Sequence, residues 1–316
     1  SNIANDPWVS KLNFDWFRRC PRARWLRLAG IQAGVGNDRL RTMFTYIDPT
    51  VRKRLIEQGK LVRIDSDGQL TPAETAAEPG ARAISILGPI PLPLARGEHE
   101  YAVDWYASVR HTELSKAQEL ADDLRERDGQ QTFAILADSM AVNSVLLMGD
   151  PLTWKNPLVR VHSSCLTGDV FGSERCECGP QLDAALQRIG EDEAGGMVIY
   201  MSGHEGRGIG LWAKAATYLL QDAGEDTYQA NTTLGLPEDS RDFSDAASIL
   251  KYFVTGKPFR LLTNNPKKVT DLEAMGVENI SREKHVCGVG NANRRYLEAK
   301  RDRGHRLDKN DLHLGD

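Results

Sequence analysis

Arg160-Val-His-Ser-Ser-Cys165-Leu-Thr-Gly-Asp-Val-Phe-Gly-Ser-Glu-Arg-Cys176-Glu-Cys178-Gly holds three of the five cysteines of a 316-residue chain, within fourteen positions. Three thiolates leave one corner of a tetrahedral Zn²⁺ open. A water in that corner is acidified to a pKa of about 7. Structural zinc takes four protein ligands, so a set of three favours a catalytic metal. Spacing alone leaves both readings open, because His162, His204 or Cys287 is available as a fourth ligand. Disulfides are disfavoured in a chain of this size with so few thiols and no signal-peptide pattern, which reads as cytosolic.

Composition narrows the field. The formal net charge is -4 and 41% of residues are hydrophobic. Nothing in that balance argues for nucleic acid as a partner. No apolar run approaches the ~20 residues a membrane-spanning helix needs. The first residues, Ser-Asn-Ile-Ala-Asn-Asp-Pro, combine neither a basic start nor an apolar core.

Working outward, Phe133–Ala137, Val145–Met148, Leu158–Val161, Gly196–Met201 and Phe259–Thr263 read as strands. Gln181–Ile189, Leu211–Asp222, Ser244–Phe253 and Pro266–Met275 read as helices. The alternation argues a mixed α/β domain. Thr112–Asp128 also has helical spacing. Before it, Asp65-Ser-Asp-Gly68, Pro79-Gly80 and Pro89-Ile-Pro91-Leu-Pro93 mark a linker or a set of short strands. The first 70 residues carry helical patterns rich in Trp, Arg and Leu. Arg18, Arg19, Arg22, Arg24 and Arg27 there read as a solvated helix face. The expected division is an N-terminal extension over 1–130, a catalytic domain over 131–305 and a loose polar tail over 306–316.

Further segments carry chemistry. Glu205-Gly-Arg-Gly-Ile-Gly-Leu211 joins a strand to a helix, with glycines that let the backbone approach a ligand. Its carboxylate suits the N1–H and 2-amino edge of guanine, and its arginine suits phosphate. Leu234-Gly-Leu-Pro-Glu-Asp239-Ser-Arg241-Asp-Phe243 places acids around an arginine. Arg260-Leu-Leu-Thr-Asn-Asn-Pro-Lys-Lys268 puts lysines at a helix start. Each alone is weak evidence. In this order, with the cysteine run and Gln181, they resemble GTP cyclohydrolase II over roughly residues 131–305.

That resemblance implies a zinc-binding core with a separate N-terminal extension domain. It implies one catalytic Zn²⁺ per chain on Cys165, Cys176 and Cys178. It implies opening of the guanine imidazole ring at C8, with loss of formate and pyrophosphate, and Mg²⁺ with the triphosphate. Arg160, Val161, His162, Ser163, Ser164, Gln181, Glu205, Gly206, Arg207, Thr227, Thr263 and Lys268 match substrate-binding positions. Asp239 matches a proton acceptor, Arg241 a proposed nucleophile, and Tyr218 a tyrosine tied to ring opening. Guanidinium stays protonated, so charge stabilisation suits Arg241 at least as well. A homodimer in the cytoplasm is implied, with no nucleic-acid or membrane partner.

One departure stands out: Tyr200-Met-Ser-Gly-His204 is one residue longer than the family pattern and lacks its arginine. His204 is a fourth metal contact, a base for the water or a solvent-facing substitute. The extension is shorter than the butanone-phosphate synthase domain of bifunctional riboflavin enzymes and lacks its acidic loop. It resembles a cyclohydrolase II-like branch linked to uracil catabolism. Two alternatives follow: a paralogue acting on another purine or pyrimidine nucleotide in catabolism or secondary metabolism, and a non-catalytic nucleotide-binding protein with structural zinc.

Overall fold

The structure is a computed structural model that describes residues 47, 49–73, 82–111, 113 and 140–312. The helix expected over Thr112–Asp128, the strand expected over Phe133–Ala137, the Pro79-Gly80 turn signal and the arginine-rich start all lie outside those residues, in whole or nearly so. The described part opens with α1 (Pro49–Glu57), β1 (Leu61–Ile64) and β2 (Leu70–Thr71). Asp65 makes the turn between the two strands, its carboxylate accepting the N–H groups of Asp67 and Gln69.

β3 (Ile84–Arg96) and β4 (His99–Arg110) form one long hairpin. Gly97 sits first in its two-residue loop with φ of 59°, which glycine adopts without strain. The linker-like run Pro89-Ile-Pro91-Leu-Pro93 is therefore strand. β1 covers β3 from Ile84 to Leu87, and beyond that β3 is an edge among the described residues. An edge tolerates proline, because no partner there needs its missing N–H.

Next come β5 (Asn143–Met148), β6 (Leu158–Ser163), α2 (Cys178–Gly190) and β7 (Gly196–Met201). They are followed by α3 (Leu211–Asp222), α4 (Gln229–Thr233), α5 (Ser244–Val254) and β8 (Phe259–Leu262). Then come α6 (Pro266–Ala274), β9 (Ile280–Glu283) and α7 (Arg294–Asp302). The strands make one nine-stranded sheet in the order β2-β1-β3-β4-β5-β7-β6-β8-β9. It is antiparallel as far as the β5–β7 pair and parallel from β7 through β6 and β8 to β9. The fold is mixed α/β with a large sheet.

β7 is apolar on both sides because both of its faces are covered. Met197, Ile199 and Met201 enter one core layer with Ile249, Leu250 and Phe253 of α5. Val198 and Tyr200 enter the other with Leu182, Ala185, Leu186 and Ile189 of α2. The period-two alternation of a strand sets that division.

Two further features belong to the fold. The boundary expected near residues 125–132 lies outside the described residues, yet the sheet runs across it, since β4 pairs with β5 from Asp104–Leu147 to Ser108–Asn143. Leu61–Arg110 thus share their sheet with the strands that follow. The tail is anchored too: Leu307 and Leu312 are buried with Leu297, and Arg306 N–H donates to Asn264 O at 2.8 Å. Apolar residues spaced through a polar tail decide this, whatever its mean polarity.

Leu250→Ala removes a fully buried side chain from α5. Denaturant unfolding should show a loss of about 2–5 kcal/mol; a loss under about 1 kcal/mol would contradict this account of the core.

Candidate active site

The site lies beyond the carboxyl ends of the parallel strands β6, β7 and β8, where open α/β sheets bind ligands. β6 delivers Cys165 into a π-helical turn, Leu166–Val170. Buried Asp169 fixes that turn. Its carboxylate accepts Cys165 N–H at 2.9 Å, Tyr200 Oη–H at 2.9 Å and His162 Nε2–H at 3.1 Å. Cys176 and Cys178 approach from the start of α2.

The three sulfurs lie within 4.8 Å of one another, with Cys165 and Cys176 Sγ 3.6 Å apart. Sulfurs held about 2.3 Å from one tetrahedral zinc sit about 3.8 Å apart, so the donor set fits that ion. No other His, Cys, Asp or Glu among the described residues joins the group. A Cβ on Gly168 would sit 3.0 Å from Cys176 Sγ and 3.2 Å from Cys165 Sγ. Glycine there leaves the cradle its room. The Cys176 and Cys178 thiols, with the Lys214 ammonium at 3.1 Å, hold Cys165 far below the usual thiol range. Thiolate is the ligand form.

Lys214, on α3, also donates to Glu205 Oε1 at 2.6 Å. Glu205 Oε2 accepts Leu166 N–H at 2.6 Å. The expected base-reading carboxylate is thus held beside the sulfur cradle. Gly206 N–H also donates to Oε1, at 3.1 Å, so the open lone pair is on Oε2. Gly206 and Arg207 both have left-handed backbone, with φ of 59° and 63°. Gly208 lets the Asp239 loop come close: a Cβ there would lie 3.0 Å from Ser240 C. That approach allows Ser240 N–H to donate to Arg207 O at 2.9 Å.

One pocket gathers the expected site residues apart from Val161 and Asp239. Val161 serves through its backbone, accepting the buried Lys268 ammonium at 2.7 Å. Asp239 serves through Arg241. The guanidinium donates to both carboxylate oxygens, at 2.9 and 2.6 Å. Burial opposes a charge on Asp239, but Arg241 outweighs it and holds the carboxyl at about 2. Arg160 is buried, donating to Leu262 O and Gln181 Oε1 at 2.7 Å each, and its Nε lacks a partner. Arg207 lies 4.1 Å over the Tyr228 ring with one guanidinium nitrogen also unpartnered. Burial depresses the Lys268 pKa well below the lysine range, and neighbouring Arg160, Arg241 and Lys300 add to it. This crowding of buried cations with open donors calls for an anion.

Tyr218 Oη shares a hydrogen bond with Thr167 Oγ1 at 3.1 Å, and the Arg175 guanidinium covers its ring. It faces the pocket rather than the core. Thr227 and Thr263 line the pocket as well. Of the two lysines at the start of α6, Lys267 turns out to Asp271 and Lys268 turns in.

His204 neither faces solvent nor joins the thiols. It is buried, with Nε2–H donating to Asp242 O at 3.0 Å and Nδ1 accepting from Ser163 Oγ at 3.2 Å. A carbonyl only accepts, which fixes the tautomer. Burial lowers its pKa to about 4, so it stays neutral. The 200–204 loop thus brings a neutral imidazole between Ser163 and Asp242. Cys287 lies elsewhere, 4.0 Å from His285.

Residues 119–284 match the family model of GTP cyclohydrolase II. The chain belongs to the GTP cyclohydrolase II family. Over 157 residues it is 55% identical to the riboflavin biosynthesis protein RibBA of Mycobacteroides abscessus, a match covering 49% of this chain and 37% of that protein. The corresponding RibBA proteins of Nocardia farcinica and Salinispora arenicola are each 51% identical, over 173 and 169 residues. Those two matches cover 54% and 53% of this chain and 41% and 40% of the relatives. The chain spans about two fifths of the length of these curated relatives.

Sequence reasoning missed pocket residues that this cyclohydrolase II domain contains. Lys214 and Arg175 line the pocket, and neither was assigned a role from the sequence. Tyr296, Lys300 and His305 arrive from α7 and the segment after it, beyond the family match. The only signal for Lys214 was its helical spacing, four residues before Tyr218.

Cys176→Ser should lose most of its bound zinc, measured by metal analysis of purified protein; full zinc content would refute the three-sulfur site. The Asp239 carboxyl should remain ionised at pH 3 by carbon NMR. Its pKa is depressed, so the Arg241 pair stabilises the fold above the ordinary carboxyl value near 3.8 and is lost as pH falls through about 2. Arg241→Met should return that titration to the ordinary range, and no change would contradict the pairing.

Proposed function

We propose that the chain is a zinc-dependent GTP cyclohydrolase II. It opens the imidazole ring of GTP at C8 and releases formate and pyrophosphate. The product is 2,5-diamino-6-ribosylamino-pyrimidinone 5'-phosphate, which serves riboflavin biosynthesis. The supporting observation is one pocket that joins three sulfur donors, with no fourth donor among the described residues, to a buried group of cations. A fourth protein ligand would favour structural zinc in a non-catalytic binding protein; the donor set does not favour it.

Cys165, Cys176 and Cys178 hold Zn²⁺, which supplies Lewis-acid activation of water at neutral pH. Glu205 turns its carboxylate to the N1–H and 2-amino edge of guanine, the base displacing the longer Gly206 N–H bond, with Lys214 and Leu166 N–H fixing its direction. Arg160, His162, Ser163, Ser164, Gln181 and Gly206 line the nucleotide's bed. Arg207, Thr227, Thr263 and Lys268 receive the triphosphate, and Mg²⁺ offsets its remaining charge.

Tyr218 orients the opening ring through its hydroxyl, beside Thr167. Asp239 is the proton acceptor. Arg241, protonated and braced on Asp239, stabilises charge on the departing pyrophosphate rather than attacking it. Asp239 cannot accept a proton while fully engaged, so its pair with Arg241 loosens as the guanidinium moves to phosphate. Residues 131–305 form the catalytic portion in the same proposal. So do a homodimeric state and a cytosolic setting.

Incubation of zinc-replete protein with GTP and Mg²⁺ should release formate and pyrophosphate in equal amounts and shift the purine absorbance to that of a diaminopyrimidine. No turnover of GTP sinks the proposal. Faster turnover of another nucleotide in a panel would move it to a diverged paralogue.

A further inference from the structure

The geometry points to Arg110, on the β3–β4 hairpin and outside the family match, as a positioning residue for the Asp239–Phe243 loop. Three aspartates fall within seven residues here: Asp239, Asp242 and Asp245. Arg241 occupies the first. The other two both face Arg110, which reaches across from β4.

The fork spans both carboxylates. Arg110 Nε donates to Asp245 Oδ1 at 2.9 Å and Oδ2 at 3.1 Å. Its terminal nitrogen donates to Asp242 Oδ2 at 2.8 Å. A lysine ammonium lacks the planar fork with donors at fixed spacing, so it holds two carboxylates less rigidly. Asp242 passes the constraint on. Its Oδ1 accepts Ser244 N–H at 2.9 Å at the start of α5, and its backbone O receives His204 Nε2–H at 3.0 Å. Arg241 is the next residue back, tied to Asp239 through its own N–H. Asn143 closes the network, donating to Asp245 Oδ2 and accepting Ser202 N–H. The hairpin thereby sets both the Asp239–Arg241 pair and the altered 200–204 loop.

A purely structural role predicts a different outcome. The Arg110 and Asp242 side chains are 41% and 43% exposed, so that pair adds little to global stability, and the more buried Asp245 keeps Asn143 as a donor when Arg110 is removed. Loss of Arg110 should therefore free the loop while leaving the core intact. Arg110 does not line the pocket, so nucleotide affinity should hold.

The test compares wild type with Arg110→Met in two measurements. Hydrogen–deuterium exchange over residues 239–246 should be faster in the variant, most of all at the N–H groups of Arg241 and Ser244, with exchange in β7 unchanged. With GTP, kcat should fall about ten- to a hundredfold while KM changes by less than about threefold and zinc content is kept. Arg110→Lys should be intermediate in both. Unchanged loop exchange, or an unchanged kcat, overturns the assignment. A rise in KM at constant kcat overturns it as well. The kinetic arm rests on the cyclohydrolase reading; if wild type turns over no GTP, that reading falls while exchange still decides Arg110. Should Arg110→Met not fold, Arg110→Lys carries the exchange test, with wild-type loop exchange as the contrary result.

Discussion

Three sulfurs held at zinc-binding separation, with no fourth donor among the described residues, are the constraint that the rest of the site serves. Thiols do not gather by packing. Asp169 gathers them, by tying the turn after Cys165 to His162 and Tyr200 on two neighbouring strands. Gly168 leaves the space, and Lys214 offers a positive charge where anionic sulfur collects. The same lysine holds Glu205, so the proposed base-reading group and the proposed metal are coupled through one ammonium.

The second feature is electrostatic. Arg160, Arg207, Arg241 and Lys268 are brought together with too few acids to balance them. Burial of cations with open donors is costly, and folds keep such arrangements where a ligand supplies the missing charge. A triphosphate answers that description better than a neutral nucleoside. Asp239 offsets part of that charge by engaging Arg241.

Much of this was legible in the sequence. Strands such as Gly196–Met201 announce themselves because burial on both faces excludes charge over their whole length. The helix over Cys178–Gly190 shows because it is amphipathic. The sulfur run and the Glu205 and Arg241 segments were legible because chemistry restricts residue type at close spacing. Other parts were not. The β3–β4 hairpin was obscured by Pro89, Pro91 and Pro93, which an edge strand accepts and a linker also favours. Lys214, Arg110 and Lys300 look like surface cations, since nothing local records whether a long side chain turns inward. The anchoring of the tail depends on Leu307 and Leu312 meeting Leu297, a contact no local pattern encodes.

X-ray absorption at the zinc edge of the purified protein tests the central claim most directly. The account predicts three sulfur neighbours and one lighter atom that exchanges with solvent or substrate. Four protein ligands, or an intact and reduced Cys165, Cys176 and Cys178 set that takes up no zinc, would contradict it.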